Sequence, residues 1–177
     1  MRDKTLSTTK ELTLVGLLTA LVSVATMMIT VPVPATEGFI HVGDAVILFA
    51  AVFFGRRKGA LAAGIGSGLA DLLLGYTVWI LPTLIVKSIM GYIVGSFAEK
   101  SDHRPLALLT VIGLVLGVLW MVGGYLAAGI VIKGSLAVGL TGVPWDMVQG
   151  FGGIALYIPV AVAMGKTRFL QQGKAVQ

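Results

Sequence analysis

Residues 106–132 read LALLTVIGLVLGVLWMVGGYLAAGIVI, 27 residues without one charged side chain. About 20 apolar residues suffice for a helix to cross the hydrocarbon core of a bilayer. This stretch exceeds that length, so it predicts a membrane-spanning helix that tilts or breaks near Gly123-Gly124.

The rest of the chain has the same character. Its 177 residues are 56% hydrophobic and only 12% charged, with a mean hydropathy of +0.96. A soluble domain carries about 25% charged residues. Too little polar surface is present to cover a water-soluble globule, and disorder needs low hydrophobicity. The composition therefore predicts an all-α integral membrane protein. The length holds roughly six or seven spans of ~20 residues and leaves no room for a soluble catalytic domain.

Further apolar runs lie outward from the first on both sides, at about 12–33, 39–54, 60–74 and 80–97 before it and 145–164 after it, with a polar tail over 165–177. The first run follows Arg2, Lys4 and Lys10, as the core of a secretory signal would. It is longer than the about 7–15 residues of such a core, and five more runs follow it. Six spans place both termini on one side. That side then holds Arg2, Lys4, Lys10, Arg56, Arg57, Lys58, Lys100, Arg104, Lys166, Arg168 and Lys174, eleven of the thirteen basic residues. The opposite loops hold only Lys133, and Lys87 falls inside a span. Cytoplasmic loops collect Lys and Arg, so both ends are expected in the cytoplasm. This placement also accounts for the net charge of +5 without a nucleic-acid partner.

The absence of cysteine excludes disulfides and thiolate chemistry. His41 and His103 are far apart and form no metal-binding spacing. Small residues four apart, such as Gly64 and Gly68 or Gly91 and Gly95, suit close helix contact in lipid.

The few polar residues inside the spans gather toward the outer side. Lys87 lies seven residues into the fourth run, roughly 10 Å deep at 1.5 Å per residue. An intramembrane lysine costs about 2.5–3.5 kcal/mol on insertion scales, so it is expected to have a partner or a ligand. Asp71, near the outer end of the third run, is a candidate ion-pair partner for it. Asp44 follows Gly43 at the start of the second helix, where an N-cap is the structural alternative. Asp146 follows Pro144-Trp145 and suits the first turn of the sixth helix. Gln149 lies one turn deeper. Tyr76, Trp79 and Trp145 sit at the boundary, where an aromatic belt is the alternative to a ligand role. Trp120 lies within the membrane, and Tyr125 is five residues further out. Glu37 and His41 belong to the first outer loop, which carries the stiff stretch Val31-Pro32-Val33-Pro34. Polar residues confined to the outer half suggest a one-sided pocket with a loop as lid rather than a through-path. Such a pocket suits a small, flat, polar heterocycle.

Several of these stretches resemble the substrate-binding S components of energy-coupling factor (ECF) transporters. They are Gly38-Phe39-Ile40-His41-Val42-Gly43-Asp44-Ala45-Val46-Ile47-Leu48, Phe53-Phe54-Gly55, Gly64 to Tyr76, and Pro82-Thr83-Leu84-Ile85-Val86-Lys87 with Gly91-Tyr92 and Gly95. The resemblance covers about Leu12 to Met164. It implies six helices with cytoplasmic ends in the plasma membrane of a prokaryote, and capture of a vitamin or its precursor at the outer face. The closest branch in look is the one for hydroxymethylpyrimidine or pyridoxine-type substrates. Pantothenate would need a partner for its carboxylate, such as Lys87, and riboflavin or folate a larger cavity. The resemblance also implies partners, a transmembrane coupling subunit and two ATP-binding-cassette ATPases. The chain has no phosphate-binding glycine loop, so ATP would be used by those partners and no cofactor by this chain. The first helix would meet the coupling subunit through small residues, here Gly16 and Ala20 with Thr19 and Ser23 beside them. A stand-alone secondary carrier or channel is the competing expectation, and an intramembrane enzyme a weaker one.

Overall fold

The computed structural model describes residues 2–34 and 37–166, with side chains from 8 to 164. Six helices form a bundle: α1 (Arg2–Met28), α2 (Asp44–Phe54), α3 (Arg56–Leu74), α4 (Ile80–Glu99), α5 (Leu108–Lys133) and α6 (Leu136–Lys166). A 3-10 turn, Thr77–Trp79, leads into α4. Four stretches are long and apolar enough to cross a membrane: Thr8–Met28, Thr77–Glu99, Leu108–Lys133 and Leu136–Met164. Their outward faces carry Leu12, Leu17, Leu119 and Val131 in the open. Apolar side chains on the outside suit lipid and not water, as expected of an all-α membrane protein.

The structure departs from the sequence reading at three boundaries. First, the runs 12–33 and 39–54 do not end as helices. Their facing ends form an antiparallel hairpin, β1 (Thr30–Val33) and β2 (Gly38–His41), with Pro32 opposite Phe39. Pro32 and Pro34 cannot continue a helix, and their fixed φ suits an extended strand. This leaves α2 with 11 residues, about half of a bilayer core in length. Second, the basic turn at 55–59 is a single non-helical residue, Gly55, and Arg56 already begins α3. The main-chain N–H of Arg56 donates to Glu99 Oε1 at 2.8 Å, which satisfies a free donor at the start of that helix.

Third, α6 starts at Leu136 and not at Trp145, so the expected loop 133–144 shrinks to Gly134 and Ser135. Gly134 takes a left-handed conformation (φ 62°), which ends α5 at little steric cost. Ser135 Oγ then accepts the N–H of Val138 at 3.4 Å, the position of an N-cap. Pro144 is carried inside the helix, so Asp146 sits well within α6 rather than in its first turn. The expected polar tail lies, beyond Lys166, outside the described residues.

Two packed clusters hold the bundle. Leu48, Val52, Met90, Val94, Leu114, Val118, Met121 and Tyr157 join α2, α4, α5 and α6. Leu18, Val22, Ile47, Ala50, Ala62 and Ala63 join α1 and α3 to α2. Small residues do let backbones approach: a Cβ at Gly91 would fall 2.8 Å from the carbonyl oxygen of Gly59 on α3. The end of the bundle away from both termini is formed by the hairpin, the 3-10 turn and the α5–α6 connection. The cavity lies there.

Candidate functional site

The floor of this end is a buried polar network. Lys87 on α4 is 0% exposed, and its Nζ bonds Asp44 Oδ1 at the start of α2, which is equally buried. The expected Lys87–Asp71 pair does not form. Asp44 is not an N-cap either: Gly43 holds that place, and Asp44 is the first helical residue. Its carboxylate lies at the positive end of the α2 dipole and opposite an ammonium, two favourable placements for a buried anion. The second oxygen, Oδ2, accepts from Gln149 Nε2 at 3.0 Å. Gln149 reaches it because Gly153, one turn further along α6, lets that helix close onto α2. A Cβ there would fall 2.8 Å from Asp44 Cβ. Lys87 Nζ also lies 2.9 Å from Met121 Sδ and 5.5 Å from the ring centre of Tyr125. Burial costs such a pair its hydration, and the bonds from Gln149 and to Met121 help to offset that cost.

Gln149 links this floor to the hairpin. Its Oε1 accepts the main-chain N–H of His41 at 3.1 Å. The His41 ring turns back, and its Nδ1 accepts the N–H of Gly43 at 3.1 Å. The proton of the neutral ring then sits on Nε2. Burial, opposed by Asp44 and reinforced by Lys87, pushes His41 down to about 4. A second tie lies at the hairpin tip, where Glu37 pairs with Lys133 at the end of α5 at 2.6 Å. Glu37 itself is exposed and takes φ 52°.

Above the network is an open cavity of about 580 Å³, counted to its mouth. Its walls bring together His41, Asp71 and Trp79 with Tyr125, Trp145, Asp146 and Gln149. These seven come from five elements, β2, α3, the 3-10 turn, α5 and α6, and were all read as site candidates. The remaining five candidates stand apart from the lining. Asp44 and Lys87 lie beneath it. Glu37 is at the hairpin tip. Tyr76 stacks against Phe39, ring centres 4.5 Å apart, and so supports a lining residue. Trp120 is 39% exposed on the outside of α5 and donates its indole N–H to the Val86 carbonyl at 3.1 Å, tying α5 to α4.

Among the lining residues that the sequence reading missed are Phe39 and Thr83. Phe39 was hidden because its run was read as helix. Thr83 was hidden by its small size, although it stands one turn before Lys87 on the same helix face. Thr83 matters to the chemistry. Tyr125 O–H donates to Thr83 Oγ1 at 3.2 Å, which ties the two lining side chains together. Tyr125 also meets Trp79 edge-on, 6.0 Å between ring centres at 70°. Gly129, Gly139 and Gly142 leave room at the α5–α6 side. Of the proposed docking residues, Gly16 and Ala20 face outward on α1, while Thr19 and Ser23 are buried against the bundle.

Among known proteins, the chain is 34% identical over 121 residues to the thiamine precursor transporter HmpT of Lactococcus lactis subsp. cremoris, covering 68% of this chain and 67% of that one. It is 42% identical over 113 residues to an uncharacterized protein from the gap 3′ region of Pyrococcus woesei, covering 64% and 74% respectively. A family model described as the S component of the ECF-type riboflavin transporter matches residues 6–166, nearly the whole chain. The chain therefore belongs to the ECF-type riboflavin transporter S component family, which makes it a membrane component of vitamin or vitamin-precursor uptake and not an enzyme.

Proposed function

We propose that this chain is the substrate-specific membrane subunit of an ATP-driven importer for a small vitamin precursor of the hydroxymethylpyrimidine or pyridoxine type. The observation that carries this reading is the cavity at one end of the bundle, with aromatic walls (Trp79, Tyr125, Trp145) and polar anchors (Asp71, Asp146, Gln149). Flat rings stack on such walls, while the anchors fix orientation. The likeness to a thiamine precursor transporter supports the same substrate class.

In this reading the cavity opens outward, both termini face the cytoplasm, and the membrane is the plasma membrane of a prokaryote. The hairpin, tied by His41 to Gln149 and by Glu37 to Lys133, is the lid over the captured ligand. Gly16 and Ala20 on the outer face of α1 meet the transmembrane coupling subunit, and two ATP-binding-cassette ATPases supply the energy. The test is reconstitution in liposomes with and without the coupling subunit and ATPases. Uptake of radiolabelled hydroxymethylpyrimidine or pyridoxine is expected only with the full assembly and ATP. Concentrative uptake by this chain alone would instead identify a secondary carrier. Mass spectrometry of the small molecule that co-purifies with the protein identifies the substrate, and riboflavin there would overturn the precursor reading.

A further inference from the structure

Two residues that line the cavity each carry a buried side-chain atom without a hydrogen-bond partner, Asp71 Oδ2 and Trp79 Nε1. Their residues are only 3% and 7% exposed. A buried donor or acceptor without a partner is costly, and native proteins rarely leave one so. Here an anion acceptor and an N–H donor stand unsatisfied on residues that line one cavity. The Trp79 ring is braced edge-on by Tyr125.

The charge of the wall points the same way. Asp146 adds a second carboxylate. Lys87 is consumed by Asp44 below the floor, and His41 is held neutral by the bond from Gly43. No Lys or Arg is among the described residues that line the cavity. An anionic ligand would meet the Asp71 carboxylate with no Lys or Arg in the described lining to offset it.

We propose that Asp71 and Trp79 are the specificity-determining residues of the cavity, and that they select a heterocycle carrying an exocyclic amino group next to a ring nitrogen. The amino N–H donates to Asp71 Oδ2, and the ring nitrogen accepts from Trp79 Nε1. An aminopyrimidine edge has this donor–acceptor pair, whereas a carboxylate-bearing vitamin does not. The proposal rests on the vitamin-precursor reading above and narrows it.

The test is calorimetric titration of the protein in lipid nanodiscs with hydroxymethylpyrimidine, with its analogue lacking the ring amino group, and with pantothenate. The natural sequence is expected to bind the amino compound at least tenfold more tightly than the analogue and to show no binding of pantothenate. Asp71→Asn is expected to lose about ten- to hundredfold affinity for the amino compound, the range for a hydrogen bond to a charged group. It should then bind the two pyrimidines nearly alike. Trp79→Phe, which keeps the ring and removes the N–H, should weaken both pyrimidines by about tenfold. If Asp71→Asn fails to fold, judged by its melting profile, the ligand pair and Trp79→Phe decide. Equal affinity for the two pyrimidines, an unaffected folded Asp71→Asn protein, or binding of pantothenate overturns the inference and leaves the uptake reading standing. Binding of neither pyrimidine overturns both.

Discussion

Lys87 on α4 is bonded to Asp44 at the first position of α2, and not to Asp71, which faces the cavity instead. The bundle therefore separates two carboxylates that look alike in the sequence. One neutralises an intramembrane lysine, and the other lines the cavity.

Breaking the buried pair should be costly. Lys87→Met is expected to destabilise the protein by about 3–5 kcal/mol, because it leaves an uncompensated carboxylate in the core. Adding Asp44→Asn should recover most of that loss, whereas adding Asp71→Asn should not. Thermal unfolding of the single and double variants in detergent gives the comparison, and rescue by Asp71→Asn would contradict the assigned pairing.

The His41 ring makes folding sensitive to acid. Its pKa is depressed to about 4 in the folded protein against 6.5 for the free side chain. Between those values the unfolded chain binds the extra proton, so stability falls as pH drops through the window from 6.5 to 4. At pH 5 the loss is roughly 2 kcal/mol, at 1.36 kcal/mol per unit. His41→Asn removes the titration and retains an acceptor for the Gly43 N–H. Its melting temperature should fall less between pH 7.5 and pH 5 than that of the natural sequence.

Gln149 Oε1 accepts the main-chain N–H of His41 and so bonds α6 to the hairpin. Gln149→Met removes the His41 bond, worth about 0.5–1.5 kcal/mol to the hairpin, and also strips Asp44 Oδ2 of its donor. Hydrogen exchange over residues 38–43 should speed up by several-fold, more than exchange in α5. Unchanged exchange in the hairpin would show that the Glu37–Lys133 tie holds it by itself.

The outer face of α1 is available for close helix contact. A Cβ at Gly16 would meet nothing within 4 Å. Gly16→Leu should therefore leave stability within about 0.5 kcal/mol and ligand affinity unchanged, while blocking co-purification with the coupling subunit. Ser23→Leu, at a buried position, should destabilise the bundle instead. Loss of ligand binding in Gly16→Leu with assembly intact would reassign the face.

Orientation is testable by labelling. A membrane-impermeant thiol reagent should fail to reach Lys58→Cys in intact cells and should reach it once the membrane is opened. Labelling in intact cells would invert the proposed topology.

The sequence by itself determined the class of protein, because the criterion is local and additive. Residues 106–132 need no knowledge of their neighbours to be recognised as membrane helix, since lipid offers their backbone no other partner. It also singled out His41, Asp71, Trp79, Tyr125, Trp145, Asp146 and Gln149 as polar or aromatic groups toward the outer side, and these line one cavity. The hairpin and the early start of α6 were written in Pro32, Pro34, Gly134 and Ser135, but apolar residues on both sides masked them. A hydropathy run does not distinguish a short strand or a tight turn from continuing helix. Only the tertiary structure decided which charges meet. Lys87 and Asp44 are 43 residues apart, and Asp44 and Gln149 are 105 apart. Their contact depends on Gly153 letting α6 close onto α2, a matter of helix packing and not of local preference. The same packing moved Trp120 to the outside and left Asp71 and Trp79 as the unpaired groups of the cavity. Pairing of buried charges is set by which helix faces converge, and that convergence belongs to the whole bundle.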